Sequence, residues 1–74
     1  IDGSYTNKLL SDKSLSKSKV LEEINELIEA VEKDTNKVHE AADVFYHLII
    51  YLEAHNIKIE DIEEELEKRK KSNE

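Results

Sequence analysis

The sequence predicts an all-α fold, a small helical bundle, and three observations carry that expectation. The 74 residues contain no proline and a single glycine, Gly3, so little in the chain interrupts a helix. No Val/Ile/Thr-rich run bounded by turn residues reads as a strand. Apolar residues recur instead at helical spacing along two long stretches. The length leaves room for one domain, residues 1–74, close to the lower limit of independent stability. With no cysteine to staple it, support has to come from a bound metal, close helix packing or a partner chain. The chain starts at Ile1 rather than methionine, as expected of a processed product, a trimmed chain or a piece of a longer polypeptide.

Four helices are expected. The first covers 4–10, with Ser4 as N-cap and Leu9 and Leu10 pointing inward. Ser11 to Ser18 is polar and serine-rich, and reads as a linker. The second helix covers 15–33 on a line of Val20, Ile24, Leu27 and Val31, widened by Leu21 and Ile28. Asp34, Thr35 and Asn36 break it, and Thr35 or Asn36 can cap the next. The third helix, 37–55, carries an apolar stripe of Val38, Ala42, Phe45, Ile49 and Leu52, yet Val44, Ile50, Tyr51 and Ala54 are apolar on other faces. A helix apolar nearly all round must be covered on several sides, and so few helices cannot supply that cover, so a homodimer or higher oligomer is expected. Asn56 stops this helix. Ile59, Ile62 and Leu66 mark a last one over 59–70, with Lys58 as a weak cap and a basic run, Lys68 to Lys71, at the negative end of its dipole. Ser72, Asn73 and Glu74 should fray.

Charge narrows the function. Charged residues make up 39% of the chain and the formal net charge is −7, which disfavours a nucleic-acid backbone as partner. A phosphorylated small molecule remains compatible if a cation carries its charge. No apolar run is long enough to span a bilayer and no signal peptide is visible. The absence of cysteine fits a reducing compartment, and the expected location is cytoplasmic.

The candidate chemistry lies on the second and third helices. Glu22, Glu23, Glu26 and Glu29 stand on the second; Glu40, Asp43 and His47 stand on the third. Glu23 with Glu26, and Glu40 with Asp43, are i,i+3 pairs that rise only about 4.5 Å along a helix. A short turn makes the helices antiparallel, so the two pairs can face each other. Four converging carboxylates repel unless a hard divalent cation sits between them, and oxygen ligands favour Mg2+ or Mn2+ over zinc. The bland alternative is a solvated acidic face. It suits Glu22, Glu29 and the Glu63–Glu67 cluster better than it suits Glu40 and Asp43, which share a narrow polar strip with His47 on an apolar helix. His39, His47 and His55 do not share a helix face, so a zinc site from them is not expected; His39 and His55 read as surface residues. His47 reads as either a hydrogen-bonded structural residue or a substrate contact. Phe45 and Tyr46 are core residues by default and purine-stacking candidates otherwise. With no Gly-rich phosphate loop, the candidates to grip phosphate are the metal and Lys8, Lys17 and Lys19, each of which is equally a solubilising charge.

In order, Gly3-Ser4-Tyr5-Thr6, Leu9-Leu10, Lys19-Val20-x-Glu22-Glu23-x-x-Glu26 and Glu40-Ala41-Ala42-Asp43-x-x-Tyr46-His47-Leu48 resemble phosphoribosyl-ATP pyrophosphohydrolase. Ile59-Glu60-Asp61-Ile62, with Leu66 and Arg69, is similar to the last helix of that family. EExxE followed by ExxD alone would indicate only the wider all-α nucleotide pyrophosphatase superfamily, which includes MazG-like and dimeric dUTPase-like enzymes. The resemblance implies a helical dimer or dimer-derived oligomer with Mg2+ held by Glu23, Glu26, Glu40 and Asp43. It implies conversion of phosphoribosyl-ATP and water to phosphoribosyl-AMP and pyrophosphate, the second step of histidine biosynthesis. Glu22, beside the Glu23 and Glu26 ligands, would orient or deprotonate the water, and Lys19 and Lys8 would meet phosphate. Ser4, Tyr5 and Thr6 would serve the phosphoribosyl end or, alternatively, cap and anchor the first helix. In this family the domain is often fused behind a phosphoribosyl-AMP cyclohydrolase domain. This chain departs from the family in polar Asn25 and Glu29, in a short turn between the motif helices and in lacking a cap serine near Lys58. Two other readings compete: hydrolysis of a simple nucleoside or deoxynucleoside triphosphate by a MazG-like enzyme, and a non-catalytic helical oligomerisation module.

Overall fold

The computed structural model describes residues 3–72, and these fold into four helices: α1 (Gly3–Ser11), α2 (Lys13–Lys33), α3 (Lys37–Ala54) and α4 (Ile59–Ser72). No strand occurs among the described residues. Helix α1 begins at Gly3, so Ser4 lies inside it and is not its N-cap. The expected linker from Ser11 to Ser18 is also absent. A single residue, Asp12, separates α1 from α2; its Oδ1 accepts from the Leu15 amide at 3.0 Å, and its carbonyl accepts from Ser16. That cap satisfies amides the start of a helix leaves open. Lys13 to Ser18 are thus the first turns of α2, and Ser16 there is buried, as is Leu9 of α1.

The α2–α3 turn is built from residue types that tolerate the left-handed region. Asp34 (φ 59°) follows α2, with its amide bonded to Val31 and that of Thr35 bonded back to Ala30, the pairing of a Schellman stop. Asn36 (φ 46°) holds the cap position of α3, as expected, but makes no side-chain cap hydrogen bond. Asn56 (φ 61°) ends α3 the same way, with Ile57 bonded back to Leu52 and Asn56 to Glu53. Lys58 brings no acceptor side chain to α4, whose first turn hangs from the Lys58 carbonyl. The acidic start (Glu60, Asp61) and basic end (Arg69, Lys70, Lys71) of α4 suit its dipole. It runs through Ser72, which was expected to fray; Asn73 and Glu74, like Ile1, lie outside the described residues.

Helices α2 and α3 pack as an antiparallel hairpin, and α1 lies against both. The faces they bury differ from expectation. The buried line on α2 is Ser16, Glu23 and Ala30, and on α3 it is Val44, His47 and Ile50. The apolar stripes point outward: Ile28 and Val31 on α2 are about half exposed, and Val38 and Phe45 on α3 are 84% and 67% exposed. Helix α4 docks on none of the others to the extent that they dock on one another. The radius of gyration, 14.5 Å, exceeds the roughly 11 Å of a compact chain of this length. The helices bury a small core of Leu9, Ala30, Val44 and Ile50 with Glu23 and His47 in it, and much of the apolar stripes stays uncovered.

Candidate metal and phosphate site

Helical spacing assembles two clusters on the facing sides of the hairpin. In one, Glu22, Glu23 and Glu26 each offer a carboxylate oxygen, all within 4.8 Å of one another; in the other, His39, Glu40 and Asp43 do the same with an imidazole nitrogen and two carboxylates. Glu23 is only 7% exposed, and both its Oε1 and that of Glu40 are buried without a hydrogen-bond partner. A buried carboxylate oxygen with nothing to accept from is costly. Hard oxygen donors in that condition fit a divalent cation.

The charges of the clusters act on each other. Glu26 is held above its ordinary 4.5 chiefly by the charge of Glu23, then by partial loss of water, then by Glu40 and Glu22. The contribution of Glu40 couples α2 to α3 across the hairpin. Glu22 goes the other way: its hydrogen bond to the Lys19 ammonium, at 2.7 Å, and the charge of that lysine lower it. The same hydrogen bond raises Lys19. All four carboxylates expected as metal ligands, Glu23, Glu26, Glu40 and Asp43, thus belong to the two clusters, and Lys19 and Glu22 stand beside them as a pair.

At the turn end of the hairpin, Glu26 and Glu40 border an open cleft of about 400 Å3 also lined by Lys33, Thr35 and Asn36. Lys33, 3.8 Å from Glu29, is a cation near the clusters that the sequence did not single out. Lys8 and Lys17 stand exposed on α1 and α2.

The Ser4-Tyr5-Thr6 segment is fastened to α3. The His47 ring donates through Nδ1 to the Asp43 carbonyl at 2.9 Å. Its Nε2 therefore accepts in the neutral ring, and Tyr5 donates its phenol there at 2.8 Å. Thr6 Oγ1 and the Tyr46 hydroxyl bond at 2.9 Å, and the Tyr5 and Tyr46 rings meet His47 edge-on. Both nitrogens of the buried His47 are thus engaged within the protein, the structural of its two expected roles. The hydroxyls of Tyr5 and Thr6 are occupied in anchoring α1. Phe45 is exposed rather than in the core of this chain, while Tyr46 is half-buried. His39 is at the surface, as expected, with its side chain 72% exposed and its Nε2 3.5 Å from Asp43 Oδ2. Its i,i+4 spacing from Asp43 was the available signal for that approach.

Comparison with known proteins places the chain in a family. The family model for phosphoribosyl-ATP pyrophosphohydrolase matches residues 2–70. A phosphoribosyl-ATP pyrophosphatase of Clostridium acetobutylicum is 50% identical over 74 residues, covering 93% of this chain and 66% of that protein. A histidine biosynthesis bifunctional protein of Caldanaerobacter subterraneus is 41% identical, covering 96% of this chain and 36% of its own length. A histidine biosynthesis trifunctional protein of Kluyveromyces lactis is 42% identical, covering 88% and 8%. The chain therefore spans just under two thirds of the length of such single-function relatives. No solved structure matches it.

Proposed function

Because the chain belongs to the phosphoribosyl-ATP pyrophosphohydrolase family, we infer that it hydrolyses phosphoribosyl-ATP to phosphoribosyl-AMP and pyrophosphate in histidine biosynthesis. The observation that carries this reading is the pair of buried, unpartnered oxygens on Glu23 and Glu40, on opposite helices of one hairpin. Glu23, Glu26, Glu40 and Asp43 would hold Mg2+, with Mn2+ as an alternative. When bound, the ion supplies neutralisation of phosphate charge as the bond between the α and β phosphates breaks.

The protein groups divide the remaining work. Lys19 spends one of its three N–H donors on Glu22, which leaves two for a phosphate oxygen. Glu22, weakened as a base by that lysine, suits orienting the attacking water better than taking its proton outright. The water oxygen bonds to phosphorus, the bridging oxygen departs with pyrophosphate, and the water proton passes to solvent or to a carboxylate of the cluster. Tyr5, Thr6, Tyr46 and His47 hold α1 against α3, and Ser4 and Lys8 on that helix would meet the phosphoribosyl end and phosphate.

The outward stripes of α2 and α3 support assembly as a homodimer or higher oligomer. No helix is long and apolar enough to cross a membrane, and a cytoplasmic location is part of the same reading. The test is pyrophosphate release from phosphoribosyl-ATP, with and without Mg2+, beside ATP and dUTP. Metal-dependent release from phosphoribosyl-ATP alone is the expected result. Release from the simple triphosphates instead would keep the metal site and replace the substrate, and no release from any would overturn the enzyme reading.

A further inference from the structure

We propose that Lys33 binds the departing pyrophosphate and holds it in the cleft at the turn end of the hairpin. The proposal rests on the hydrolysis inferred above and names the part of the chain that meets the leaving group.

Lys19 stands seven residues before Glu26 and Lys33 seven after it. Seven residues make two helical turns, about 10 Å, and return to the same face. The face of α2 that carries the acidic cluster is therefore bracketed by a cation at each end. The two cations are not equivalent. Lys19 is bound to Glu22 at 2.7 Å, on the side of α1, where Tyr5 adds to what raises it. Lys33 lies 3.8 Å from Glu29, too far for a hydrogen bond, so its N–H donors are uncommitted.

The cleft of about 400 Å3 beside Lys33 gives those donors a ligand to hold. Glu26 and Glu40 line it towards the carboxylate site, and Lys33 is the only cation among its lining residues. Asn36, also in the lining, sits at the cap of α3 without a side-chain cap hydrogen bond. Its amide is open, and so is the positive start of α3, which favours an anion. Ala30 is the only apolar lining residue, so the cleft suits phosphate rather than a purine. Glu26 and Glu40 would repel a bare anion, so the anion held here is one that shares the divalent cation of the carboxylate site. Pyrophosphate meets each of these conditions. The alternative is a solvated i,i+4 pair, since Lys33 and Glu29 are both 67% exposed; such a pair is worth little and selects no ligand.

The test is phosphoribosyl-AMP formation from phosphoribosyl-ATP in Mg2+ at low ionic strength, with inorganic pyrophosphate added as inhibitor. Lys33→Ala should raise the pyrophosphate inhibition constant roughly 10-fold, the effect of one charge-assisted hydrogen bond. Inhibition by phosphoribosyl-AMP should change by less than about twofold, and Lys33→Arg should keep most of the pyrophosphate affinity. Glu29→Gln, which releases the lysine, should tighten pyrophosphate binding, and lose that effect once Lys33 is alanine. An unchanged inhibition constant in Lys33→Ala overturns the role of Lys33 and leaves the hydrolysis in place. So does an equal loss of both products, or a Glu29→Gln effect that is independent of Lys33. If wild type forms no phosphoribosyl-AMP, the hydrolysis reading falls and the leaving-group site with it.

Discussion

Replacing Glu23 by leucine should stabilise the ion-free chain and abolish the stabilisation that a divalent cation gives wild type. In the ion-free chain Glu23 is 7% exposed, its Oε1 has no partner, and its charge is the largest cause of the raised Glu26. Replacing a side chain whose buried oxygen has no partner by an apolar one of similar size removes a desolvation cost of about 1–3 kcal/mol. At about 4–8 °C per kcal/mol for a domain of this size, Glu23→Leu should melt at least about 4 °C above wild type in chelator. Magnesium works in favour of wild type alone. At a hundred times its dissociation constant a ligand adds about 2.7 kcal/mol to the form that binds it, roughly 10–20 °C here, and only wild type retains the ligand. Thermal unfolding by circular dichroism, at one protein concentration and with EDTA or Mg2+, reads both effects. A leucine variant less stable than wild type in EDTA, or an equal gain from Mg2+ in both proteins, would refute the assignment of those buried oxygens to a cation.

Three further outcomes follow from the geometry. The folded value of Glu26 is raised, so the stability its proton lends the ion-free chain is present below the unfolded value of about 4.5 and lost as pH rises through the folded one. Glu22 is lowered, so its contribution is present above its unfolded value and lost as pH falls through the folded one. Carboxyl titration by NMR in chelator should place Glu26 above Glu22; the reverse order contradicts the site's electrostatics. Tyr5→Phe strands the buried His47 acceptor and should cost about 1–3 kcal/mol in urea unfolding, whereas a cost within error means that the clip does not hold α1. Phe45→Asp, at a 67%-exposed position on α3, should shift sedimentation from oligomer towards monomer, and an unchanged profile would remove that stripe from any interface.

Much of the fold was legible because capping and periodicity are local. Both ends of α3 and the stop at Asn56 follow from residue types at single positions. The serine-rich start of α2 was misread because polarity was weighed without the capping power of Asp12. Which face each helix buries was not legible: periodicity identifies an apolar face, but not the neighbour that covers it. Here Glu23 and His47 went inside while Val31 and Phe45 stayed out. The carboxylates could be found because i,i+3 spacing fixes their direction on a helix. The surface reading of His39 holds, while its approach to Asp43 follows from their i,i+4 spacing. The Tyr5–His47 clip joins residues 42 positions apart, a distance at which spacing carries no information.

Asp34 and Asn36, both left-handed, turn the chain within three residues, so α2 and α3 find each other through neighbours near in sequence. Helical pairs of this kind close on a timescale of microseconds to milliseconds. Closure carries Glu26 of α2 and Glu40 of α3 to the border of one cleft in the same event. Like charges thus gather on the way to the folded state, and Glu26, raised by Glu23 and Glu40, registers that cost within the closed hairpin.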